Sequence, residues 1–236
     1  MDYAAIFKRH PRAALHLSGG KDSVATLYLL REYADRFIVY HLDTGDEPPE
    51  TRAVLEECQK IAPRWVEVKT DVLGWIMKNG HPSDVVPTSS TPLGRLMGFG
   101  AMPISDRFSC CWANVMWPMQ ERMAADGITL IIRGQKLADM PKVPMRSGDV
   151  AAGMEVLYPI ENWTDKEVLA YLREVKAPIH PVYEVCKEGV GCMHCTAWWS
   201  YKLVDWLREA HPEAHAFVTR KHFEIQEAIA GELVHA

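Results

Sequence analysis

Apolar and polar positions in the first seventy residues switch repeatedly between a strand period and a helix period. Arg12-Ala13-Ala14-Leu15-His16-Leu17 is a short apolar run that ends on a Gly pair, and Ser23 to Leu30 then carries apolar residues at helical spacing. Phe37 to Leu42 predicts a second buried strand, Glu50 to Lys60 a second helix, Trp65 to Val68 a third strand and Ile128 to Ile132 a further one. Strands that alternate with helices of this length pair in parallel through right-handed crossovers. The expected fold class is therefore α/β, an open, mostly parallel five-stranded sheet with helices on both faces, followed by a helical C-terminal segment.

Between these elements the pattern breaks twice. Asn79 to Arg107 reads as an active-site loop containing Thr88-Ser89-Ser90-Thr91, with a helix expected after Cys111. Gly134 to Glu155 reads as a second irregular stretch, whose Lys136, Lys142 and Arg146 suit either a phosphorylated substrate or a solvated basic loop. Thr164-Asp165-Lys166-Glu167 has the form of a capping box, which starts a helix running to about Glu174. The chain from Thr196 onward reads as helical. Two parts are expected: residues 1–176 as a nucleotide-binding α/β domain and residues 177–236 as a cysteine-containing helical extension.

Composition narrows the class. With 236 residues, 48% hydrophobic and 24% charged, the chain can bury a substantial core. Its formal charge of −5 argues against a general binder of nucleic-acid backbones. No apolar run spans a bilayer and Met1 to Lys8 lacks the layout of a secretory signal, so a cytoplasmic protein without a membrane partner is expected. In that compartment six cysteines point to metal or redox chemistry where they cluster, rather than to disulfides. Cys58 lies in the second helix and reads as a buried thiol.

The turn between the first strand and its helix is Ser18-Gly19-Gly20-Lys21-Asp22-Ser23. A Gly pair there lets the backbone approach an anion, and the helix start adds unpaired N–H donors. Lys21 contributes an ammonium and Ser18 and Ser23 contribute hydroxyls, so the natural guest is a phosphate. The spacing is neither that of a Walker A loop nor that of a dinucleotide fingerprint. A plain tight turn with Asp22 as a cap is the alternative.

This hexapeptide resembles the PP-loop of the ATP pyrophosphatases, and Asp43-Thr44-Gly45 followed by Pro49-Glu50-Thr51 resembles the signature of the phosphoadenylylsulfate (PAPS) reductase branch of that adenine nucleotide alpha-hydrolase superfamily. Pro159-Ile160, Trp163-Thr164 and Val168 are similar to a further segment of the family, and Arg133-Gly134 stands where the family carries its Gly-x-Arg substrate loop. The resemblance implies an adenine nucleotide, ATP or adenylylsulfate/PAPS, held by residues 18–23 with Thr44, Gly45 and Gly134. Lys21, Asp43 and Arg133 would be catalytic, with Asp43 beside Mg²⁺ or ribose. Trp163 itself reads as a core aromatic.

Cys110-Cys111 and Cys192-Met193-His194-Cys195 are similar to the Cys-Cys and Cys-x-x-Cys pairs with which adenylylsulfate reductases hold a 4Fe-4S cluster. Structural Zn²⁺ is the main alternative, with His194 able to replace one thiolate. A redox dithiol at Cys192 and Cys195, or a ligand set that includes Cys186 in place of Cys110 or Cys111, is also open.

The chain departs from the reductases in two places. No cysteine follows Cys195, where those enzymes carry a nucleophile, and Asn114-Val115 replaces their basic pair after Cys-Cys. Lys21 matches PP-loop enzymes that use ATP itself. The expectation is thus ATP-dependent adenylation of an acceptor, a nucleic acid or a small molecule, coupled to sulfur transfer. The alternatives are a sulfonucleotide reductase with an unusual nucleophile and a thiol or electron donor protein, or a nucleotide-sensing iron–sulfur subunit. A homo-oligomer is left open. Trp198-Trp199, Tyr201 and Trp206 fit a helical core or a base-stacking surface.

Overall fold

A computed structural model describes residues 1–83, 104–139, 145–197 and 201–234. The loop expected at Asn79 to Arg107 therefore lies largely outside the described residues, as do Lys142, Trp198 and Trp199. The strands are β1 (Ala13–His16), β2 (Phe37–Asp43), β3 (Trp65–Lys69), β4 (His81–Ser83), β5 (Ile104–Asp106), β6 (Leu130–Ile132), β7 (Val150–Ala151) and β8 (Met154–Leu157). The α-helices are α1 (Tyr3–Arg9), α2 (Lys21–Leu29), α3 (Pro49–Gln59), α4 (Val72–Asn79), α5 (Arg107–Cys111), α6 (Trp117–Ala125), α7 (Asp165–Glu174), α8 (Tyr201–Ala210) and α9 (Pro212–Val234). Contacts divide the chain into one compact unit of residues 1–43, 49–68 and 119–183 and another of residues 44–48, 69–118 and 184–236. The expected boundary at residue 176 has its nearest counterpart between Tyr183 and Glu184.

The first unit holds a sheet in the order β3-β2-β1-β6-β8-β7. β1 pairs in parallel with β2 and β6, and β6 in parallel with β8. Both faces are buried because apolar residues fill both sides of each central strand. Ala13, Leu15, Phe37, Val39, Leu130 and Ile132 face a core built with Val24, Leu27, Leu55, Val168 and Leu172; Ala14, Tyr40 and Ile131 face Met119 and Met123. Trp163 packs against the first of these cores, its ring edge-on to Tyr171 at 5.3 Å.

One local expectation changes in this unit and another holds. Among the described residues the sheet has six strands rather than five, because the stretch expected to be irregular before Glu155 contains β7, paired antiparallel with β8. Its turn is Ala152-Gly153, both at positive φ, a hairpin geometry that two residues of strand are too short to announce by alternation. The Thr164 capping box forms as expected, with the Thr164 hydroxyl accepting from the Glu167 amide and the Glu167 carboxylate accepting from the Thr164 amide at 2.7 Å.

In the second unit β4 and β5 pair in parallel, and α4 packs Val72 and Ile76 against Cys110 and Cys192. The helix expected after Cys111 instead starts at Arg107, because the Asp106 carboxylate accepts from the Phe108 and Ser109 amides. It continues through one π-helical stretch, Trp112–Met116, into α6, so both cysteines lie inside a helix. Trp206 and Leu207 of α8 are buried, which favours the core reading of that aromatic. No helix among the described residues is long and apolar enough to cross a membrane.

Candidate functional site

The first unit presents the phosphate-type turn at the end of its central strand. β1 runs to His16, the Leu17 amide donates to the Tyr40 carbonyl at 2.9 Å, and the chain then reverses through Gly19 at φ +77° into α2. A Cβ at Gly19 would lie 2.9 Å from the Thr51 methyl, so this glycine is required by both conformation and space. Ser23 closes the turn: its hydroxyl donates to the Gly20 carbonyl at 2.9 Å and accepts the Ser18 amide at 3.2 Å. The Gly20 amide approaches the Ser18 hydroxyl at 3.5 Å, and the Lys21 amide donates to the Tyr183 hydroxyl at 3.2 Å.

Beside the turn stands an ionic cluster larger than the motif itself. The Lys21 ammonium contacts Asp22 and Asp165, each at 3.1 Å, and lies 5.0 Å above the Tyr183 ring. Lys136, whose side chain is 0% exposed, contacts Asp22 and Asp139 at 2.7 Å and Asp165 at 3.3 Å. Burial opposes the charge of both lysines, yet the carboxylates around them outweigh it and hold both ammonium groups above their ordinary pKa. Burial likewise opposes the Asp165 carboxylate, and the two lysines reverse that and hold it below the usual range. The pairs are mutually stabilised charges in a half-enclosed pocket, not exposed surface bridges.

Arg133 and Gly134 follow β6 in the same unit. Burial lowers the Arg133 guanidinium from its ordinary value, and its Nε is buried without a hydrogen-bond partner. Gly134 packs against the start of α2 so closely that a Cβ there would collide with the Asp22 carbonyl group and come 2.7 Å from the Ser23 amide nitrogen. Asp43, expected beside Mg²⁺ or ribose, is instead paired with Arg52 at 2.9 Å, and Arg52 also reaches Glu67 at 3.4 Å.

The second unit contains Thr44, Gly45 and every cysteine but Cys58. Gly45 has φ +77°, and the Thr44 hydroxyl accepts a bond from the Cys192 thiol at 3.5 Å. Asp46, 4% exposed, grips the Cys192–Cys195 loop: its carboxylate accepts from the His194 amide at 2.8 Å and lies 2.6 Å from His194 Nδ1, while its carbonyl accepts from Met193 at 2.9 Å. His194 is thereby held by a carboxylate.

Cys110, Cys111, Cys192 and Cys195 are neighbours. Burial, and then the mutual repulsion of these thiols once ionised, pushes both Cys110 and Cys192 up to about 12. They pack as neutral, small apolar groups, and among the described residues no group of three or more His, Cys, Asp or Glu side chains is placed to hold a metal ion. Cys186 is buried, its thiol donating to the Glu188 carbonyl at 3.0 Å.

Sequence reading missed four contributors. Asp165 carried a visible signal only as part of a cap, Asp46 only as the residue after Asp-Thr-Gly, and Asp139 and Tyr183 carried none. Arg146, read as suiting either a phosphorylated substrate or a solvated basic loop, is ion-paired with Glu161.

Residues 12–74 and 119–198, together more than half of the chain, match the family profile described as phosphoadenosine phosphosulfate reductase domain. An adenosine 5'-phosphosulfate reductase of Allochromatium vinosum is 25% identical over 179 residues, covering 75% of this chain and 65% of that protein. One from Neisseria meningitidis is 23% identical over 164 residues, covering 67% of this chain and 61% of that protein. The chain thus matches somewhat less than two thirds of the length of these relatives. The crystal structure of a PAPS reductase from Candida auris, a phosphate complex, superposes with a TM-score of 0.58 at 14% identity, covering 81% of this chain and 85% of that chain, a likeness of fold.

Proposed function

The chain belongs to the phosphoadenosine phosphosulfate reductase domain family, and from that premise we propose that it is an enzyme that binds an adenine nucleotide at residues 18–23 and performs sulfur chemistry at the 5'-phosphate. One observation carries this reading: a glycine turn at a helix start, two serine hydroxyls, a buried pair of lysines and an Arg133 Nε without a partner belong to a single compact unit. Such a set offers N–H, O–H and guanidinium donors to the oxygens of an anion. Lys21 meets the charge directly. Lys136 lies behind Asp22 and Asp165 and orients the carboxylates that hold Lys21.

The substrate class is a sulfonucleotide, adenylylsulfate or its 3'-phosphorylated form, as the names of the relatives support. Reduction cleaves the sulfur–oxygen bond, leaves the adenylate and releases sulfite, with two electrons from a thiol donor protein. Cys110, Cys111, Cys192 and Cys195 would hold a 4Fe-4S cluster, or Zn²⁺ in its place. Their donor chemistry fits, since four thiols are the soft donors that iron and zinc take, although as they stand the described residues form no metal-holding group. Such a group would cross-link the Cys110-Cys111 helix to the Cys-x-x-Cys loop that Asp46 holds.

A second reading, adenylation of an acceptor by ATP with release of pyrophosphate, is favoured by Lys21 in the turn. Two assays on anaerobically purified protein separate the readings. Sulfite release from adenylylsulfate or PAPS with thioredoxin and reductant supports the first, and pyrophosphate release from ATP supports the second. Lys21→Ala weakens binding of the productive nucleotide about ten- to hundredfold, the loss of one charge-assisted contact. If neither nucleotide binds the wild-type protein, the reading is wrong.

A further inference from the structure

The phosphate turn is not an open socket. Its backbone donors and its ammonium are already matched to internal acceptors: the Gly20 amide to the Ser18 hydroxyl, the Lys21 ammonium to two carboxylates, and the Lys21 amide to Tyr183. The last of these is the unusual one. Tyr183 lies 162 residues from Lys21 in sequence, in the short 3-10 turn Pro181–Glu184, and brings a neutral oxygen to the first amide of α2. Its ring is fixed independently of that oxygen, edge-on to His180 and beneath the Lys21 ammonium. A Cβ on Gly20 would sit 3.2 Å from the same hydroxyl, so the oxygen lies close against the second glycine of the turn.

Resting on the reading of residues 18–23 as a phosphate site, we propose that the Tyr183 hydroxyl is a stand-in for a ligand oxygen, exchanged for it when a nucleotide binds, and that it sets the selectivity of the turn for charged ligands. A helix-terminal amide bonds an anionic oxygen about twice as strongly as a neutral one. A phosphate or sulfate oxygen therefore displaces the phenol. A neutral ligand such as adenosine offers no stronger acceptor and leaves the hydroxyl in place. The exchange subtracts from nucleotide affinity the bond that the phenol gives up, so the residue costs affinity while it screens out uncharged ligands.

The test is calorimetric titration of wild-type and Tyr183→Phe protein with ATP, adenylylsulfate and adenosine separately. Tyr183→Phe keeps the ring beneath Lys21 and removes only the oxygen. The expected result is about two- to tenfold tighter binding of whichever charged nucleotide binds the wild-type protein, the value of one neutral hydrogen bond. Equal or weaker binding by the variant overturns the role of Tyr183 and leaves the phosphate site standing. Absence of nucleotide binding by both proteins overturns the site and this inference together. A crystal structure of the wild-type complex gives an answer that needs no variant: a ligand oxygen on the Lys21 amide with the phenol turned away supports exchange, and a phenol still bonded to that amide overturns it.

Discussion

At Gly134 one missing methyl group separates a loop from a phosphate site. Because an added Cβ would strike the Asp22 backbone, Gly134→Ala forces α2 back at its first turn. We expect about 1–3 kcal/mol of lost stability, as for overpacking, with nucleotide affinity reduced further. Chemical denaturation and titration on the same sample check this, and an unperturbed variant with full affinity would show that the turn tolerates the shift. His16 makes a second prediction. Burial and then Arg133 push its imidazole from 6.5 down to about 3. The ring therefore stays neutral in the folded protein while the unfolded chain takes up a proton, so its contribution is intact above about pH 6.5 and fades as pH falls toward 3. One such group accounts for at most about 1.4 kcal/mol per pH unit. The pH slope of stability in that window should flatten in His16→Gln, and an unchanged slope would acquit the residue. At this scale the hexapeptide was legible because glycines, hydroxyls and a lysine carry their chemistry in their identity. Asp165 and Tyr183 were not, because their roles arise from tertiary proximity to Lys21, over separations no local pattern reports.

Among the elements, α7 was the most legible, since a Thr and a Glu three residues apart satisfy each other's amides by local geometry alone. Thr164→Ala should cost about 1 kcal/mol, within a range of about 0.5–2, read as a shift in denaturation midpoint at constant slope. Asp165 occupies the next position, so the same variant should also loosen Lys21, and a stability loss without any change in nucleotide affinity would separate the cap from the cluster. The central strands were legible because both faces are apolar. β7 was not, being two residues long. The start of α5 was also missed, because the Asp106 cap lies in a stretch whose glycines and prolines obscure helical spacing. That error hid the fact that Cys110 and Cys111 are helical neighbours, one buried and one partly exposed, rather than tips of a loop.

For the molecule as a whole, the α/β class and its parallel sheet followed from alternating periods, while the division into units did not. The boundary expected at residue 176 treats the chain as two beads. The contacts instead interleave three segments in each unit, with Asp43 in one and Thr44 in the other. The Asp-Thr-Gly motif thus spans a junction that only three-dimensional packing reveals. This interleaving bears on how the protein is made. β1 is synthesised well before β6, its parallel partner, because β6 and β8 lie more than a hundred residues downstream. Until β6 is made the central strand has an unclaimed edge, and folding that waits for so distant a strand is intrinsically slow.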